Sequence, residues 1–215
     1  MGTGDSGVRV LVFAKAPLPG AVKTRLVPVL GAAGAAAVQA DLIERTLETA
    51  CDAALGPVEL HGAPASDDFL TRCAKRFGAN LLQQADGDLG DRMHAALECA
   101  LRTSGGALLI GCDCPAMTAE YLREAAAALR DGDDAVLGPV EDGGYALVGL
   151  ARPERSLFTD MPWSTDAVMA ATRSRLNALR WRWRELDTLW DVDRPADYER
   201  FLRLKIPAGR RAMSR

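Results

Sequence analysis

Histidine is scarce in this 215-residue chain. There are two, His61 and His94, and neither stands in a pattern with serine or cysteine that would make a nucleophilic triad. The five cysteines are scattered and odd in number, with no CxxC pair. That excludes a zinc ribbon and a disulfide framework, and points to a reducing, cytoplasmic compartment. Charge of one sign is missing too: 26 Lys and Arg face 29 Asp and Glu, and a net charge of −3 argues against nucleic acid as a bulk electrostatic partner. No apolar run approaches the length of a membrane span. The opening Met1-Gly2-Thr3-Gly4-Asp5-Ser6-Gly7 lacks the basic-then-apolar order of a signal peptide. Internal repeats are absent, as are linkers rich in Gly, Ser or Pro. One domain over residues 8–204 is predicted, with a flexible start (1–7) and a basic, disordered tail (205–215).

What is present is alternation. Val8, Val10, Leu11, Val12 and Phe13 read as a strand, as do residues 57–61 and 80–83. Ala107-Leu108-Leu109-Ile110 is a continuous apolar run, as expected of a strand buried on both faces of a parallel sheet. Between these, Ala36, Ala40, Ile43, Leu47, Ala50 and Ala54 recur at helical spacing, as do Leu89, Met93, Leu97 and Leu101, and then Leu122, Ala125, Ala126 and Leu129. A short helix is predicted over 68–77. Glu141-Asp142-Gly143-Gly144 separates two apolar runs, 135–138 and 145–150, and predicts an antiparallel excursion. A helix from about 164 to 179, a strand at 181–184 with one aromatic face, and a last helix from near Pro195 complete the pattern. The fold class is α/β: a three-layer α/β/α domain with a mostly parallel mixed sheet and an antiparallel strand near 145–150. Such sheets bind ligands at the carboxyl ends of their strands.

The segment after the first strand carries the strongest chemistry. Phe13-Ala14-Lys15-Ala16-Pro17-Leu18-Pro19-Gly20-Ala21-Val22-Lys23-Thr24-Arg25-Leu26 places three cations in a loop stiffened by two prolines and a glycine. Polyphosphate needs both fixed positive charge and close backbone approach. The loop is not a Walker A motif, because Val22 stands where that motif requires Gly. Gly111-Cys112-Asp113-Cys114-Pro115 follows the buried strand. Asp113 there suits either a divalent cation, completed by substrate phosphates, or a helix cap. In Asp86-Gly87-Asp88-Leu89-Gly90-Asp91-Arg92-Met93 the glycines expose backbone N–H groups to a phosphate or a base edge, or else the loop simply caps a helix. Asp142, Gly143, Gly144 and Tyr145 form either a plain hairpin turn or one facing a substrate. Trp163, Ser164 and Thr165 form either a helix cap over a buried indole or an acceptor-binding lip. Asp191 and Asp193 serve as a second acidic wall, or Asp193 as the cap of the last helix.

Taken in order over residues 8–201, these motifs resemble a bacterial family of transferases of unknown function, labelled glycosyltransferase A, within the nucleotide-diphospho-sugar transferase superfamily. The resemblance implies a Rossmann-like GT-A fold. The first loop and the Asp-x-Pro tip are also similar to those of phospholactate and molybdenum-cofactor guanylyltransferases. Carried over by position, Lys15, Lys23 and Arg25, with Pro19, Gly20 and Thr24 on the same loop, hold the phosphates. Gly87, Asp88, Gly90 and Arg92 lie near the base, and Asp113 binds Mg²⁺ or Mn²⁺ with Asp193 or Asp191. Asp193 matches a late Asp of related cytidylyltransferases, although Arg194 stands where Thr usually precedes the Pro. Glycosyltransferases of this fold usually show Asp-x-Asp at the strand tip, whereas Cys112-Asp113-Cys114 has a single Asp, closer to the nucleotidyltransferase pattern.

The function expected is Mg²⁺-assisted nucleotidyl transfer from a nucleoside triphosphate to a small phosphorylated or hydroxyl acceptor. Lys23, Arg25 and Asp113 are the catalytic residues, and the acceptor lies along Asp142, Gly143, Gly144, Tyr145, Trp163 and Ser164. Glycosyl transfer from a nucleotide sugar is the alternative, and a non-catalytic nucleotide-binding module a third.

Overall fold

A computed structural model describes residues 5–205. The tail from 206 and the first four residues lie outside them, while Asp5, Ser6 and Gly7, expected to be flexible, open the first strand. Seven strands form one sheet: β1 (Asp5–Lys15), β2 (Val58–Ala63), β3 (Asn80–Gln83), β4 (Ser104–Gly111), β5 (Ala135–Pro139), β6 (Tyr145–Leu150) and β7 (Trp183–Glu185). Six helices accompany them: α1 (Val27–Asp52), α2 (Asp68–Phe77), α3 (Leu89–Leu101), α4 (Ala119–Arg130), α5 (Val168–Ala178) and α6 (Pro195–Lys205). The spatial order is β3-β2-β1-β4-β6-β5-β7. Every neighbouring pair is parallel except those of β6, which runs antiparallel to both β4 and β5. This is the predicted mixed sheet, with its reversed strand where the 141–144 turn required one.

Period-two alternation divides the strands between two cores. Val8, Val10 and Val12 of β1 face α1, α2 and α4 through Ile43, Leu47, Leu70 and Leu122. Leu11 of the same strand faces α3 and α5 through Met93, Leu97, Met169 and Leu176. A third cluster matters most for the site. Leu26, Leu42, Trp190, Val192 and Phe201 pack together, clamping the turn before α1 against the segment before α6. Full burial of an aliphatic side chain contributes about 2 kcal/mol, so this small cluster fixes two loops that are far apart in sequence.

Three local departures have identifiable causes. The helix expected from residue 164 begins at Val168, because Ser164 sits at φ 64° and the Thr165 hydroxyl donates to the Pro162 carbonyl at 2.7 Å, holding a turn instead. The strand expected at 181–184 is shifted to Trp183–Glu185. Arg180 takes φ 54° and Trp181 N–H donates back to the Leu176 carbonyl, so Trp181 closes the helix end. The stretch Thr24–Asp52 is long and apolar enough to cross a membrane, although no such run was expected. Gly31 breaks the helix at φ 70°, and residues such as Ala36, Ile43 and Leu47 are buried against the protein's own core.

Candidate active site

The loop after β1 bends at Gly20 (φ 82°) and delivers Lys23 into a left-handed conformation, φ 47° and ψ 41°. That conformation is unfavourable for a residue with a Cβ, by roughly 1 kcal/mol. The side chain shows what holds it there. Lys23 Nζ donates to Asp113 Oδ1 at 2.5 Å and to the Val192 carbonyl at 2.6 Å, and the side chain is only 7% exposed. Val192 N–H in turn donates to the Asp113 carbonyl at 2.8 Å. Arg25, two residues on, pairs with the Asp193 carboxylate. Three segments widely separated in sequence, 23–25, 113 and 191–193, are thereby joined at the carboxyl ends of β1 and β4.

Asp113 does not cap a helix. Thr118 caps α4 by accepting from Tyr121 N–H at 3.1 Å, which leaves the Asp113 side chain to Lys23, 53% exposed. The flanking Cys112 and Cys114 are buried, and burial pushes both thiols far above the range in which a thiolate forms. They serve as small apolar side chains. Asp193 is not the cap of α6 either: Asp197 accepts from Arg194 N–H at 2.7 Å and from Asp193 N–H at 3.2 Å.

Asp191 lines the same cleft. Burial raises its pKa first, the negative charge of Asp142 next, then Asp113 and Asp193, taking it from 3.8 to about 6. A carboxyl with a higher pKa folded than unfolded makes the folded state hold the extra proton between those two values. Stability therefore falls as pH rises through that window and stays lower above it. Asp191→Asn is expected to raise the melting temperature near neutral pH by about 3 °C, on the order of 1 kcal/mol. The gain should vanish in acid, where the carboxyl is protonated in both states. Thermal denaturation across a pH series measures this, and a gain independent of pH would remove the charge repulsion from the explanation.

The β5–β6 turn forms the far wall. Asp142 Oδ1 accepts from Gly144 N–H at 2.9 Å. Gly143 has φ 88°, and a Cβ there would collide with the Asp166 carbonyl, so glycine is required. Met169 N–H donates to the Gly143 carbonyl at 2.9 Å, tying the turn to the start of α5. Tyr145 meets Trp163 edge-on, ring centres 6.4 Å apart. These walls enclose a cleft of about 820 Å³ lined by Arg25, Asp113, Asp142, Gly144, Tyr145, Trp163, Ser164, Asp191 and Asp193 among others.

The 86–93 loop is arranged differently. Asp88 caps α3 through Asp91 N–H at 2.9 Å, and Arg92 Nε donates to the Gly87 carbonyl at 2.9 Å. Gly90 packs where a Cβ would strike the Phe158 carbonyl. From this segment it is Leu89 and Met93 that line the cleft. Lys15, Pro19, Gly20, Lys23 and Thr24 stand on the first loop outside the lining, Lys23 touching it through Asp113. His61 is buried against Glu59, with Nε2 at 3.0 Å from Oε2.

Sequence reasoning passed over Asp166 and Asp197, both in the lining, and Arg175. Arg175 donates to the carbonyls of Ser156 (2.8 Å), Thr159 (2.6 Å) and Asp160 (3.1 Å), anchoring the loop that carries Trp163. An arginine on a helix gives no sign that its targets are backbone carbonyls of a preceding loop. Asp166 had a signal, being adjacent to the Trp163-Ser164-Thr165 motif.

Among the described residues, no three His, Cys, Asp or Glu side chains converge as a ready-made metal cage. The donor set nevertheless suits Mg²⁺ or Mn²⁺. It is all carboxylate oxygen, Asp113 already holds a cation in the form of the Lys23 ammonium, and Asp191 is crowded by negative charge that a divalent ion would relieve. Mg²⁺ commonly takes one or two carboxylates and leaves its other positions to phosphate and water.

Among curated proteins, none matches the chain. Solved structures do. A crystal structure from Desulfovibrio desulfuricans G20, named as a candidate nucleotide-diphospho-sugar transferase, is 26% identical, with TM-score 0.84 over 95% of this chain and 90% of that one. CMP:2-keto-3-deoxy-manno-octonic acid synthetase complexed with CTP aligns at TM-score 0.59 and 14% identity, over 93% of this chain and 98% of that one. Glucosyl-3-phosphoglycerate synthase from Mycobacterium tuberculosis, in complex with Mn²⁺, UDP and glucosyl-3-phosphoglycerate, aligns at TM-score 0.55 and 13% identity, over 90% and 75%. The fold is thus that of the nucleotide-diphospho-sugar transferases, shared by cytidylyltransferases and glycosyltransferases. Residues 46–165, which include the 111–115 tip, the 141–145 turn and Trp163, match the family described as "Uncharacterized protein conserved in bacteria (DUF2064)", and the chain belongs to that family.

Proposed function

We propose that this protein is a nucleotide-dependent transferase that moves a nucleotidyl group from a nucleoside triphosphate to a small acceptor, assisted by Mg²⁺ or Mn²⁺. The observation that carries the reading is the contact between Lys23 and Asp113, whose carboxylate lines a cleft of about 820 Å³. It sets a buried cation against a half-exposed carboxylate where sheets of this kind bind phosphates. The single Asp at the strand tip favours nucleotidyl transfer, and relatives of this fold bind CTP or UDP. In this reading the acceptor oxygen attacks the α-phosphorus, a hydroxyl acceptor giving up its proton to a carboxylate of the cleft, the bond to the bridging oxygen breaks, and pyrophosphate leaves with the electron pair. Lys23 and Arg25 neutralise charge growing on the departing phosphates, and the walls of the cleft align the acceptor. Asp113 and Asp191 would hold the divalent ion, which supplies phosphate-charge neutralisation when bound.

The aromatic lip of Tyr145 and Trp163 favours a second reading, glycosyl transfer from a nucleotide sugar with a nucleoside diphosphate leaving. Incubation of the protein with each nucleoside triphosphate, and separately with nucleotide sugars, plus Mg²⁺ separates the two. Pyrophosphate is the expected product; nucleoside diphosphate released from a nucleotide sugar would select the second reading. Nucleotide-induced stabilisation without either product would leave a binding module. No stabilisation by any nucleotide would sink the reading altogether.

A further inference from the structure

Resting on the transferase reading, we propose that the acceptor is a polyhydroxylated molecule of monosaccharide size that carries no anionic group, seated between the 142–144 turn and Trp163. The cleft is asymmetric in how its charges are partnered. Toward β1 and β4, Asp113 has Lys23 and Asp193 has Arg25, while Asp197 accepts from the backbone N–H groups of Asp193 and Arg194. Asp191 lines the same cleft without an ion-pair partner among the described residues. At the β5–β6 turn, Asp142 and the adjoining Asp166 line the cleft with no ion-pair partner among the described residues, and Glu141 is taken up by Arg200 at 3.0 and 3.1 Å. The cations that do line the cleft are Arg25, paired with Asp193, and Arg194, next to Asp193 in the chain.

A phosphorylated acceptor would therefore set its charge against two uncompensated carboxylates. Hydroxyl groups would instead donate to them, and carboxylates are acceptor-only groups with several lone pairs to fill. The Asp142 carboxylate is already oriented by its bond from Gly144 N–H. Tyr145 and Trp163 add an apolar wall suited to the C–H face of a sugar ring. The Trp163 indole lines the cleft, and its Nε1–H is buried with no hydrogen-bond partner. The volume is at the upper end of the range for ligand pockets, enough for a nucleotide and a sugar together.

The test loads the protein with Mg²⁺ and the nucleotide that most raises its melting temperature. Glucose, mannose, galactose and glucosamine are then titrated beside glucose 1-phosphate, glucose 6-phosphate and gluconate, followed by calorimetry and tryptophan fluorescence. At least one non-anionic sugar is expected to bind, with its phosphorylated counterpart about tenfold weaker or worse. Trp163→Phe should remove the fluorescence response. Asp142→Asn combined with Asp166→Asn, at two exposed positions, should weaken the neutral sugar and shrink the discrimination against phosphate. A phosphorylated sugar or gluconate binding as tightly as the neutral one would overturn the inference. So would the absence of any neutral-sugar binding while nucleotide still binds, or discrimination unchanged in the double variant. Loss of nucleotide binding itself would instead take down the transferase reading, and this inference with it.

Discussion

Lys23→Ala is expected to abolish stabilisation of the protein by nucleoside triphosphate and to lower turnover by roughly 10²–10³-fold, the loss typical when one fixed donor to developing negative charge is removed. The size of the effect follows from placement. The ammonium is 7% exposed and pinned by two short bonds, to Asp113 and to the Val192 carbonyl, so its geometry is set before any ligand arrives. Preorganised charge in a partly dry site acts more strongly than a mobile surface lysine, which water and salt would screen. Because Lys23 also carries a left-handed backbone, alanine changes two things at once. Lys23→Gly separates them: glycine adopts φ 47° freely, so it should match alanine in lost nucleotide binding while folding more stably by about 1 kcal/mol. Thermal shift with and without nucleotide reads both quantities. An unchanged shift in either variant would take Lys23 out of the site.

The sheet and its layers were legible because apolar periodicity is a local property. Val8, Val10 and Val12 against Leu11 announce a two-faced strand without knowledge of its neighbours, and the glycines of the 141–144 turn announce a reversal. The same holds for the cations of the first loop, whose residue types alone suggest anions. What could not be read were competitions decided by tertiary partners. Thr118, not Asp113, caps α4, and Asp197, not Asp193, serves α6, so two aspartates that looked like ordinary caps were left for Lys23 and Arg25. Gly87 and Gly90 point the other way: they look like a phosphate or base-edge loop, yet their surroundings are an arginine's hydrogen bond and the Phe158 carbonyl. Glycine marks a place where backbone must come close or turn unusually, and does not say whether the close neighbour is a ligand or the protein itself. Arg175 was invisible for a related reason, since its partners are carbonyls, which every sequence has everywhere.

Asp113→Asn should produce the other large effect, and its two consequences separate. The first is chemical: the amide keeps the shape but loses the charge that a divalent ion requires, so Mg²⁺-dependent turnover should fall by about 10²-fold or more. The second concerns the resting fold. Removing the carboxylate charge leaves the buried Lys23 ammonium with neutral partners only, the Val192 carbonyl and an amide oxygen. Breaking one side of a fully buried pair costs about 3–5 kcal/mol, but Asp113 is 53% exposed, so a loss of about 1–2 kcal/mol is expected. Lys23→Met added to Asp113→Asn should recover part of that stability, because the uncompensated charge goes with the lysine, while turnover stays lost. Chemical denaturation of the two single variants and the double variant closes the cycle. A coupling energy near zero would mean that the Lys23–Asp113 contact contributes nothing to the fold, leaving the left-handed turn at Lys23 without its explanation.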